Sequence, residues 1–533
     1  MSFLIRPFVL LLLLACAVRG ADLDATLLRL ADDKSGERAA ALAELGASRE
    51  PRLVAFLEDY RQNSAYVWNG RLVLVLDLRD DQGVPLDPLT RKALGPAVAK
   101  SALTELTVSN KERRAATDAV TRLRLSDPDH DARLSAVTKA GDGLAVATRP
   151  ALNELAANDS DPRVRRAAAE GVSLIDLAGD DAPARVAAAD QLGTLGSGRA
   201  LANLREVAAK DKDETVRTHA ATAVAAIESY QLQLRITQTA FSGLSAGSIL
   251  IIMALGLSIT FGLMGIINMA HGEMLMVGAY ATLLTQWGVE RFLPPAMQPW
   301  YFLIAVVTGF FAAGGVGWLL ELTIIRHLYG RPLETLLATW GVSFLLIKTV
   351  RSTFGDNQAV TAPAWLVGGW EPMAELVLPW NRLFIIALTA VSIVGVWLLL
   401  KKTRLGLLLR ATTQSRRTAS SLGVNTRRID GLTFALGSGL AGAAGCAMTL
   451  IGGLKPDMGQ EFIIDSFLVV AAGGVGNLAG VVWAGLSLGL LNKVLEPWTQ
   501  AVFAKVLVLI CVIIFLQWKP SGLFPAKGRL ADG

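Results

Sequence analysis

The sequence predicts an all-α protein in two parts, a helical solenoid followed by a polytopic membrane domain of about nine spans, with eight to ten possible. Two observations carry this prediction. Residues 21–235 are charged and alanine-rich, with short apolar patches at helical spacing. Residues 240–520 contain long apolar runs rich in glycine and tryptophan, which is the composition of membrane helices.

The first twenty residues have the pattern of a secretory signal. Arg6 precedes an apolar run, 8–18, of about ten residues, which is too short to span a bilayer. The small residues Ala15, Ala17 and Gly20 indicate a cleavage site. We expect a cleaved signal peptide over 1–20, with a retained membrane anchor or lipidation at Cys16 as alternatives. A signal peptide would place residues 21–235 outside the cytoplasm.

Self-similar stretches recur within residues 21–235. Each has an acidic or proline start, then arginine, then small apolar residues, as in "DPRVRRAAAEGVSLI" from 161 and "DETVRTHAATAVAAI" from 213. Asp161 followed by Pro162 is an N-cap followed by a proline at the first helical position. The pattern resembles HEAT-like repeats, whose stacked helix pairs cover one another's apolar faces. Such a solenoid would either bind a partner protein or act as a scaffold.

The remaining chain predicts a transmembrane domain over 236–525 and a cytoplasmic tail over 526–533. The loop 401–428 carries eight basic residues and no acidic one, so the positive-inside rule places it in the cytoplasm. Counting spans from this loop puts the first domain outside, in agreement with the signal peptide. Nine apolar segments fit helices, and the glycine-rich pair near 471–480 is either re-entrant or broken. The segments are 242–264, 269–287, 300–322, 333–352, 382–400, 430–452, 464–480, 481–496 and 502–518.

The basic loop 401–428 also contains a pattern of apolar residues, which its role in topology does not explain. Residues 404–424 combine helix formers with leucines, which predicts a short amphipathic helix whose apolar side fits a groove on a partner protein. The chain has no Gly-x-x-x-x-Gly-Lys-Ser/Thr phosphate loop. Energy from ATP would therefore come from another subunit docked on this loop. The candidate docking residues are Arg404, Arg410, Arg416, Arg417, Leu422 and Gly423.

Three stretches in order along the membrane domain carry a family resemblance. They are "GLSITFGLMGIINMAHGEMLMVGAY" (256–280), the segment 403–445, and "KPSGLF" (519–524). Together they resemble permeases of the branched-chain amino acid ABC transporter family. Within it, stretches such as "LATWGVSFLLIKTVRSTFG" (337–355) and the long N-terminal extension most resemble urea permease subunits. The resemblance implies inward transport of urea or a related short amide across the bacterial inner membrane.

The same resemblance implies partners: a second, different permease subunit, two ABC ATPases, a periplasmic substrate-binding protein and the lipid bilayer, with no nucleic acid. Three cysteines and the absence of nucleophile or metal-ligand spacing predict no catalytic residue, no cofactor and no metal, so the chain is not expected to be an enzyme. The alternatives are a branched-chain amino acid permease, a passive urea channel and a membrane-anchored scaffold. A channel has no ATPase to dock on the basic loop, and an anchor needs only one plain span.

The candidate substrate pathway contains Asn268, His271 and Glu273, polar groups between two apolar runs. One interpretation is that they line the conduit. The alternative is that they are structural: Asn268 caps the second membrane helix, His271 bonds a neighbouring helix, and Glu273 complements the helix dipole. Gln460 and Asp465 are further candidates near the outer vestibule, with Asp465 alternatively a helix cap. Glu321 and Arg326 near the cytoplasmic ends of spans three and four predict a structural ion pair.

Overall fold

A computed structural model describes residues 23–524, except 24, 31–34, 49, 51, 80 and 81. The predicted signal peptide and cytoplasmic tail lie outside the described residues. The chain divides into two compact units, with the division between Leu232 and Gln233.

Unit 1 contains helices that are joined, with one exception, by short connections. Several begin at an aspartate or serine whose side chain accepts a backbone N–H, namely Ser109, Asp129 and Asp161. The helices are α1 (Ser35–Ala47), α2 (Arg52–Arg61), α3 (Asn110–Leu125), α4 (His130–Asp142), α5 (Arg149–Asn158), α6 (Pro162–Leu177), α7 (Ala182–Leu195), α8 (Leu201–Lys210) and the start of α9 (Glu214–Met264).

A three-helix repeat organises this unit. Helices α4, α5 and α6 begin at 130, 149 and 162, and α7, α8 and α9 begin 52 residues later at 182, 201 and 214. The same interactions recur in both copies. Arg133 bonds Asp159 at 2.8 Å, and Arg185 bonds Asp211 at 3.2 Å. Each arginine also donates to backbone carbonyls just before its own helix.

Close helix packing recurs at the same repeat positions. Gly141 lies against Gly171, and Gly193 lies against Ala223, where larger side chains would hold the helices apart. A third copy comes first in the chain, where Gly46 of α1 meets Ala119 of α3. Each apolar helix face is thus covered by its neighbours, which is the packing logic of a solenoid. The HEAT-like character predicted from the sequence stays a prediction.

The all-α prediction is wrong between α2 and α3, where small sheets interrupt the first repeat. Ala65–Trp68 (β1) pairs antiparallel with Arg71–Leu74 (β2) across a turn at Asn69 and Gly70. Both turn residues have positive φ, 50° and 73°, as a type I′ hairpin turn requires. The Asn-Gly pair between apolar, β-branched runs is a hairpin signal that the repeat interpretation overlooked. The other strands here are β3 (Leu78–Arg79), β4 (Gln82–Gly83), β5 (Val98–Ala99) and β6 (Thr104–Glu105).

Unit 2 is a helical bundle with one small hairpin, a second departure from the all-α prediction. The hairpin pairs Gly369–Met373 with Leu376–Pro379 in the loop between two long helices. The elements are the rest of α9, then α10 (His271–Phe292), α11 (Tyr301–Thr323), α12 (Pro332–Phe354), β7 (Gly369–Met373), β8 (Leu376–Pro379), α13 (Trp380–Lys402), α14 (Arg404–Gln414), α15 (Arg416–Ser421), α16 (Thr426–Met448), α17 (Met458–Gly473) and α18 (Leu478–Trp518).

Among the described residues, six helices are long and apolar enough to cross a membrane: α9, α12, α13, α16, α18 and the segment containing α11. The prediction of about nine spans therefore stays a prediction. The apolar windows of α9 and α16 are 83% and 78% buried within the protein, whereas those of the other four are 17–33% buried. Helices α9 and α16 thus lie in the interior of the bundle, and the other four face outward.

Helix α10 is also interior, although it is absent from those six. It packs against α11, α12, α16 and α17, and residues on all its faces are buried. Glycines permit the closest approaches. A Cβ on Gly278 would lie 2.0 Å from the carbonyl oxygen of Gly442 on α16, and one on Gly272 would lie 2.4 Å from that of Gly459 on α17. Small residues at such crossings are typical of membrane helix packing.

The predicted boundary between spans at residue 480 is wrong. Helix α17 ends at Gly473, and α18 begins at Leu478 with Asn477 as its N-cap. The intervening Gly474 and Gly476 have φ of 99° and 80°, which breaks the helix there and confirms the predicted interruption. Segments 481–496 and 502–518 lie on either side of a break within α18, where Gln500, with φ of 63°, leaves helical geometry shortly after Pro497.

Candidate functional site

Residues 265–273, which include Asn268, His271 and Glu273, form a sharp turn and the first residues of the central helix α10. Gly265, with φ of 70°, ends α9, and Asn268 turns the chain by accepting the Ala270 N–H on its side-chain oxygen at 3.0 Å. Asn268 is fully buried, and its amide nitrogen has no hydrogen-bond partner among the described residues. It shapes the turn two residues before the N-cap, Ala270, and so is not itself the predicted cap.

His271 begins α10 and is fully buried between helices. Its Nε2 lies 3.2 Å from the carbonyl oxygen of Met253 on α9, which agrees with the predicted bond to a neighbouring helix. Its Nδ1 has no partner among the described residues. The ring lies close to Gly256, where a Cβ would sit 3.1 Å from the imidazole. One nitrogen of the ring is thus bonded to α9, and the other has no hydrogen-bond partner among the described residues.

Glu273 lies in the first turn of α10 and is buried. Its Oε1 accepts a 2.6 Å hydrogen bond from the hydroxyl of Ser343 on α12. Its Oε2 lies against Gly459 and has no hydrogen-bond partner among the described residues. An ionisable side chain held this deep is costly, and in membrane proteins it marks a pathway or a fold constraint.

Helix α12 contributes a hydroxyl stripe that the sequence interpretation missed. Its buried residues are Thr335, Thr339, Ser343 and Ile347, spaced four apart and therefore on one face. Thr339 accepts the N–H of Met269 at 3.1 Å, in the turn next to Asn268. The spacing of hydroxyls in "TLLATWGVS" was the available signal. Together the turn, the start of α10 and this stripe form one buried polar cluster, which we call the α10–α12 cluster.

Gln460 and Asp465 do not join this cluster in the contacts described. Gln460 is exposed in the first turn of α17. Asp465 lies two turns inside α17, which begins at Met458, so it cannot be a helix cap. Its carboxylate lies 3.9 Å from the Lys505 ammonium on α18, and Glu461 lies 3.8 Å from the same ammonium.

The basic loop forms two helices instead of the single one predicted. Helix α14 is capped by Thr403, and α15 by Ser415, whose hydroxyl accepts the N–H of Thr418. Ser415 breaks the predicted helix because an N-cap needs extended backbone. Gly423, with φ of 85°, terminates α15, and Asn425 caps α16. The loop is thus a compact two-helix element ahead of an interior helix.

The apolar side of this loop is largely covered by the helical bundle of unit 2 itself. Leu409 is buried, and Leu405 and Leu408 pack against the main core cluster. The expectation that a partner covers these leucines is therefore wrong, because their own bundle does. Leu422 is different, since it is 79% exposed at the end of α15, directly before Gly423.

The arginines predicted for docking have unequal environments. Arg404 and Arg417 are exposed, and neither forms an ion pair among the described residues. Arg410 donates to the carbonyl of Leu400 at the end of α13. Arg416 turns inward and pairs with Asp430 on α16. Of the four arginines predicted for docking, Arg404 and Arg417 are thus the two whose side chains have no described ion pair or hydrogen bond.

One group of potential metal ligands occurs in the described part of the chain: Asp129, His130 and Asp131 in unit 1. All three are exposed, and Asp129 accepts the N–H of Asp131 as the cap of α4. Helix capping accounts for these residues. The prediction that the chain needs no metal or cofactor stays a prediction.

The membrane unit matches a known family. Residues 239–516, slightly more than half of the chain, match the family described as "Branched-chain amino acid transport system / permease component". The chain belongs to this permease family. The resemblance at 256–280 and 403–445 is therefore confirmed at the family level, while 519–524 lies beyond the matched residues, and the urea assignment within the family stays a prediction.

Individual relatives agree with the family assignment. The permease protein LivH of Escherichia coli K12 is 26% identical over 299 residues, 54% of this chain and 96% of LivH. BraD of Pseudomonas aeruginosa is 28% identical over 297 residues, 54% of this chain and 94% of BraD. LivM of Escherichia coli K12 is 24% identical over 302 residues, 52% of this chain and 68% of LivM. All three are named as permease proteins of high-affinity branched-chain amino acid transport systems.

The family match starts at residue 239, shortly after unit 2 begins, and leaves unit 1 outside it. Family membership and the six apolar helices agree on a multi-pass membrane permease. The relatives are transport components, which supports a non-enzymatic role for this chain.

Proposed function

We propose that this chain is the permease subunit of an ATP-driven importer that moves urea or a related short amide inward across the inner membrane. The observation that supports urea or a short amide as the cargo is the α10–α12 cluster. Its open groups are hydrogen-bond donors and acceptors, and its charged member is the acidic Glu273, whose described hydrogen bond goes to Ser343. Urea, with N–H donors and a carbonyl acceptor, matches such groups without bringing a charge.

An amino acid fits this cluster less well. The cluster has no described cation to bind the carboxylate of an amino acid, and a carboxylate placed near Glu273 would be repelled, because like charges in a low-dielectric site repel strongly. Family relatives named for branched-chain amino acids nevertheless favour leucine as the second candidate cargo. Such an amino acid would offer its ammonium group to Glu273 and would need a cation from elsewhere for its carboxylate.

The energy source in this proposal lies on partner subunits. The two-helix loop with exposed Leu422, Arg404 and Arg417 supplies a docking surface for an ABC ATPase. Two ATPases, a second and different permease and a periplasmic binding protein complete the complex. A passive channel is less well supported, because a channel without an ATPase would have no use for Leu422, an exposed apolar residue among basic ones.

The orientation follows from the charge distribution. The basic loop 401–428 would lie in the cytoplasm together with the C-terminus, and residues 21–235 would lie in the periplasm. The three-helix repeat of unit 1 would then be a HEAT-like domain offering a surface to an extracytoplasmic partner.

Uptake measurements distinguish the two cargoes. A strain lacking its own transporter genes would express this chain with its partner subunits and would be tested with radiolabelled urea and radiolabelled leucine. We expect ATP-dependent accumulation of urea that excess leucine does not inhibit. Accumulation of leucine without accumulation of urea would instead assign the chain to amino acids. Urea entry that persists after ATP depletion and stops at equal concentrations inside and outside would support the channel.

A further inference from the structure

An ionic cluster joins the basic loop to the interior of the bundle. Arg416 of α15 pairs with the Asp430 carboxylate on α16, and its guanidinium lies 4.5 Å from the centre of the Tyr329 ring. Nearby, Arg326 bonds the Glu321 carboxylate on α11 at 3.1 Å. Three separate segments of the chain therefore meet at these five side chains.

The acidic members of the cluster are buried, while Arg416 reaches the surface. The side chains of Glu321 and Asp430 are 0% and 5% exposed, whereas that of Arg416 is 45% exposed. Buried carboxylates are costly unless they are paired, so Arg416 is held to Asp430 by the cost of leaving that carboxylate alone. Stacking over Tyr329 adds a cation–π contact that fixes the direction of the guanidinium.

The adjacent arginine has the opposite environment. Arg417 is exposed and forms no ion pair among the described residues. Of these two neighbouring residues of α15, Arg417 is therefore available to contact a partner protein, whereas Arg416 is bonded within the permease. The sequence alone treats them as one basic pair.

Helix α16 continues from Asp430 into the tightest packing of unit 2. Gly431 lets Glu321 and Trp318 approach, and Gly442 touches Gly278 of α10, the helix that carries Glu273. At the contact between Gly442 and Gly278, no side chain that could move aside lies between the helices. Close-packed interiors transmit displacement instead of absorbing it. A displacement of the first turn of α16 would therefore reach α10.

We propose that the Arg416–Asp430 pair, clamped by Tyr329, is the mechanical link that transmits movement of the docking helix α15 to α16. This inference rests on the proposed function, since it assumes that an ATPase moves the loop. Arg416 is a positioning residue in this scheme and contacts no cargo. Without the pair, the loop would still bind the ATPase through its outer residues but would move without moving α16.

The test measures ATP hydrolysis and cargo uptake separately, in proteoliposomes containing the complete transporter. The variants are Arg416→Gln, Asp430→Asn and the charge exchange Arg416→Asp with Asp430→Arg, and the matched control is Arg427→Gln, at an exposed arginine in the first turn of α16. We expect each single variant to keep ATP hydrolysis within about twofold of wild type while cargo moved per ATP falls at least tenfold, which corresponds to a loss of about 1.4 kcal/mol in coupling. The exchange should recover most of the lost coupling.

Replacement of Tyr329 provides a second measurement that does not alter the buried charges. Tyr329→Phe keeps the ring over Arg416 and should preserve coupling, whereas Tyr329→Leu should lower it. If the single variants keep the wild-type ratio of cargo to ATP, or if Arg427→Gln loses as much coupling as Arg416→Gln, the inference is wrong while the proposed function stands. A wild-type complex that moves neither urea nor leucine with ATP would overturn both.

Discussion

The hydroxyl of Ser343 on α12 donates a 2.6 Å hydrogen bond to the buried carboxylate of Glu273 on α10. The two residues are 70 positions apart in the sequence, and their bond joins an outward-facing helix to the central one. Because Glu273 Oε2 has no hydrogen-bond partner among the described residues, this bond is the main stabilisation that the described contacts give the carboxylate.

Replacing Ser343 by alanine is expected to destabilise the permease. The change leaves the buried Glu273 carboxylate without its donor, and hydrogen bonds to charged groups contribute about 1.5–3 kcal/mol. Thermal unfolding in detergent should show a lower midpoint. Thr349→Ala on the exposed face of the same helix is the control and should shift the midpoint little. Equal shifts in the two variants would show that the bond is unimportant.

Gly278→Ala is expected to disrupt the interior of unit 2. The added Cβ would lie 2.0 Å from the carbonyl oxygen of Gly442, so α10 and α16 must separate. Overpacking of this kind costs typically about 1–3 kcal/mol or more. Gly288→Ala on the same helix is the control, because nothing lies within 4 Å of its added Cβ. Retention of folded protein on size-exclusion chromatography should fall for Gly278→Ala alone.

The hairpin in unit 1 should be sensitive to Gly70→Ala. Gly70 has φ of 73°, a conformation that costs alanine about 1 kcal/mol. Gly36→Ala, within α1 and in open space, should instead stabilise by a similar amount, because alanine favours helix. Hydrogen exchange of the β1–β2 amides measures the first effect. Unchanged protection there would contradict the turn geometry.

Acid should loosen the repeats of unit 1 through two aspartates. The Arg133 guanidinium lowers the pKa of Asp159, and the backbone N–H of Asp213 together with Arg185 lowers that of Asp211. A lowered folded-state pKa stabilises the fold fully above the unfolded-state pKa, about 3.9, and the contribution is lost as the pH falls through the lowered value. Hydrogen exchange of the full chain between pH 6 and pH 3 should show falling protection in α4–α8. Asp159→Asn should make this dependence shallower, whereas Asp118→Asn, at an exposed position outside these pairs, should not.

Leu422→Ser should weaken ATPase binding without unfolding the permease. The side chain is 79% exposed at the end of α15, so its removal costs the isolated chain little. Burying a leucine in a partner groove contributes about 1.5–3 kcal/mol, so affinity measured by co-purification or titration should fall about tenfold or more. Leu333→Ser, at an 83% exposed leucine on α12, is the matched control. Loss of affinity in both variants would argue against a specific role for Leu422.

Local signals in the sequence predicted much of the fold. The helix cap at Asp161, the apolar runs, and the glycines at 473–476 placed most helices and one interruption correctly. The β1–β2 hairpin was missed although its Asn69-Gly70 signal is local, because alanine-rich helical periodicity dominated the interpretation of that region. The break at Ser415 was missed because it depends on a single capping hydroxyl.

The sequence by itself determined the membrane class, the family and the polar character of residues 268–273, since hydropathy, motifs and charge are properties of the chain. The tertiary structure decided which groups meet: Ser343 with Glu273, and Arg416 with Asp430. It also separated Arg416 from Arg417 and interior helices from outward-facing ones. These features depend on close packing at glycine contacts between distant segments, and no local pattern specifies which segments come together.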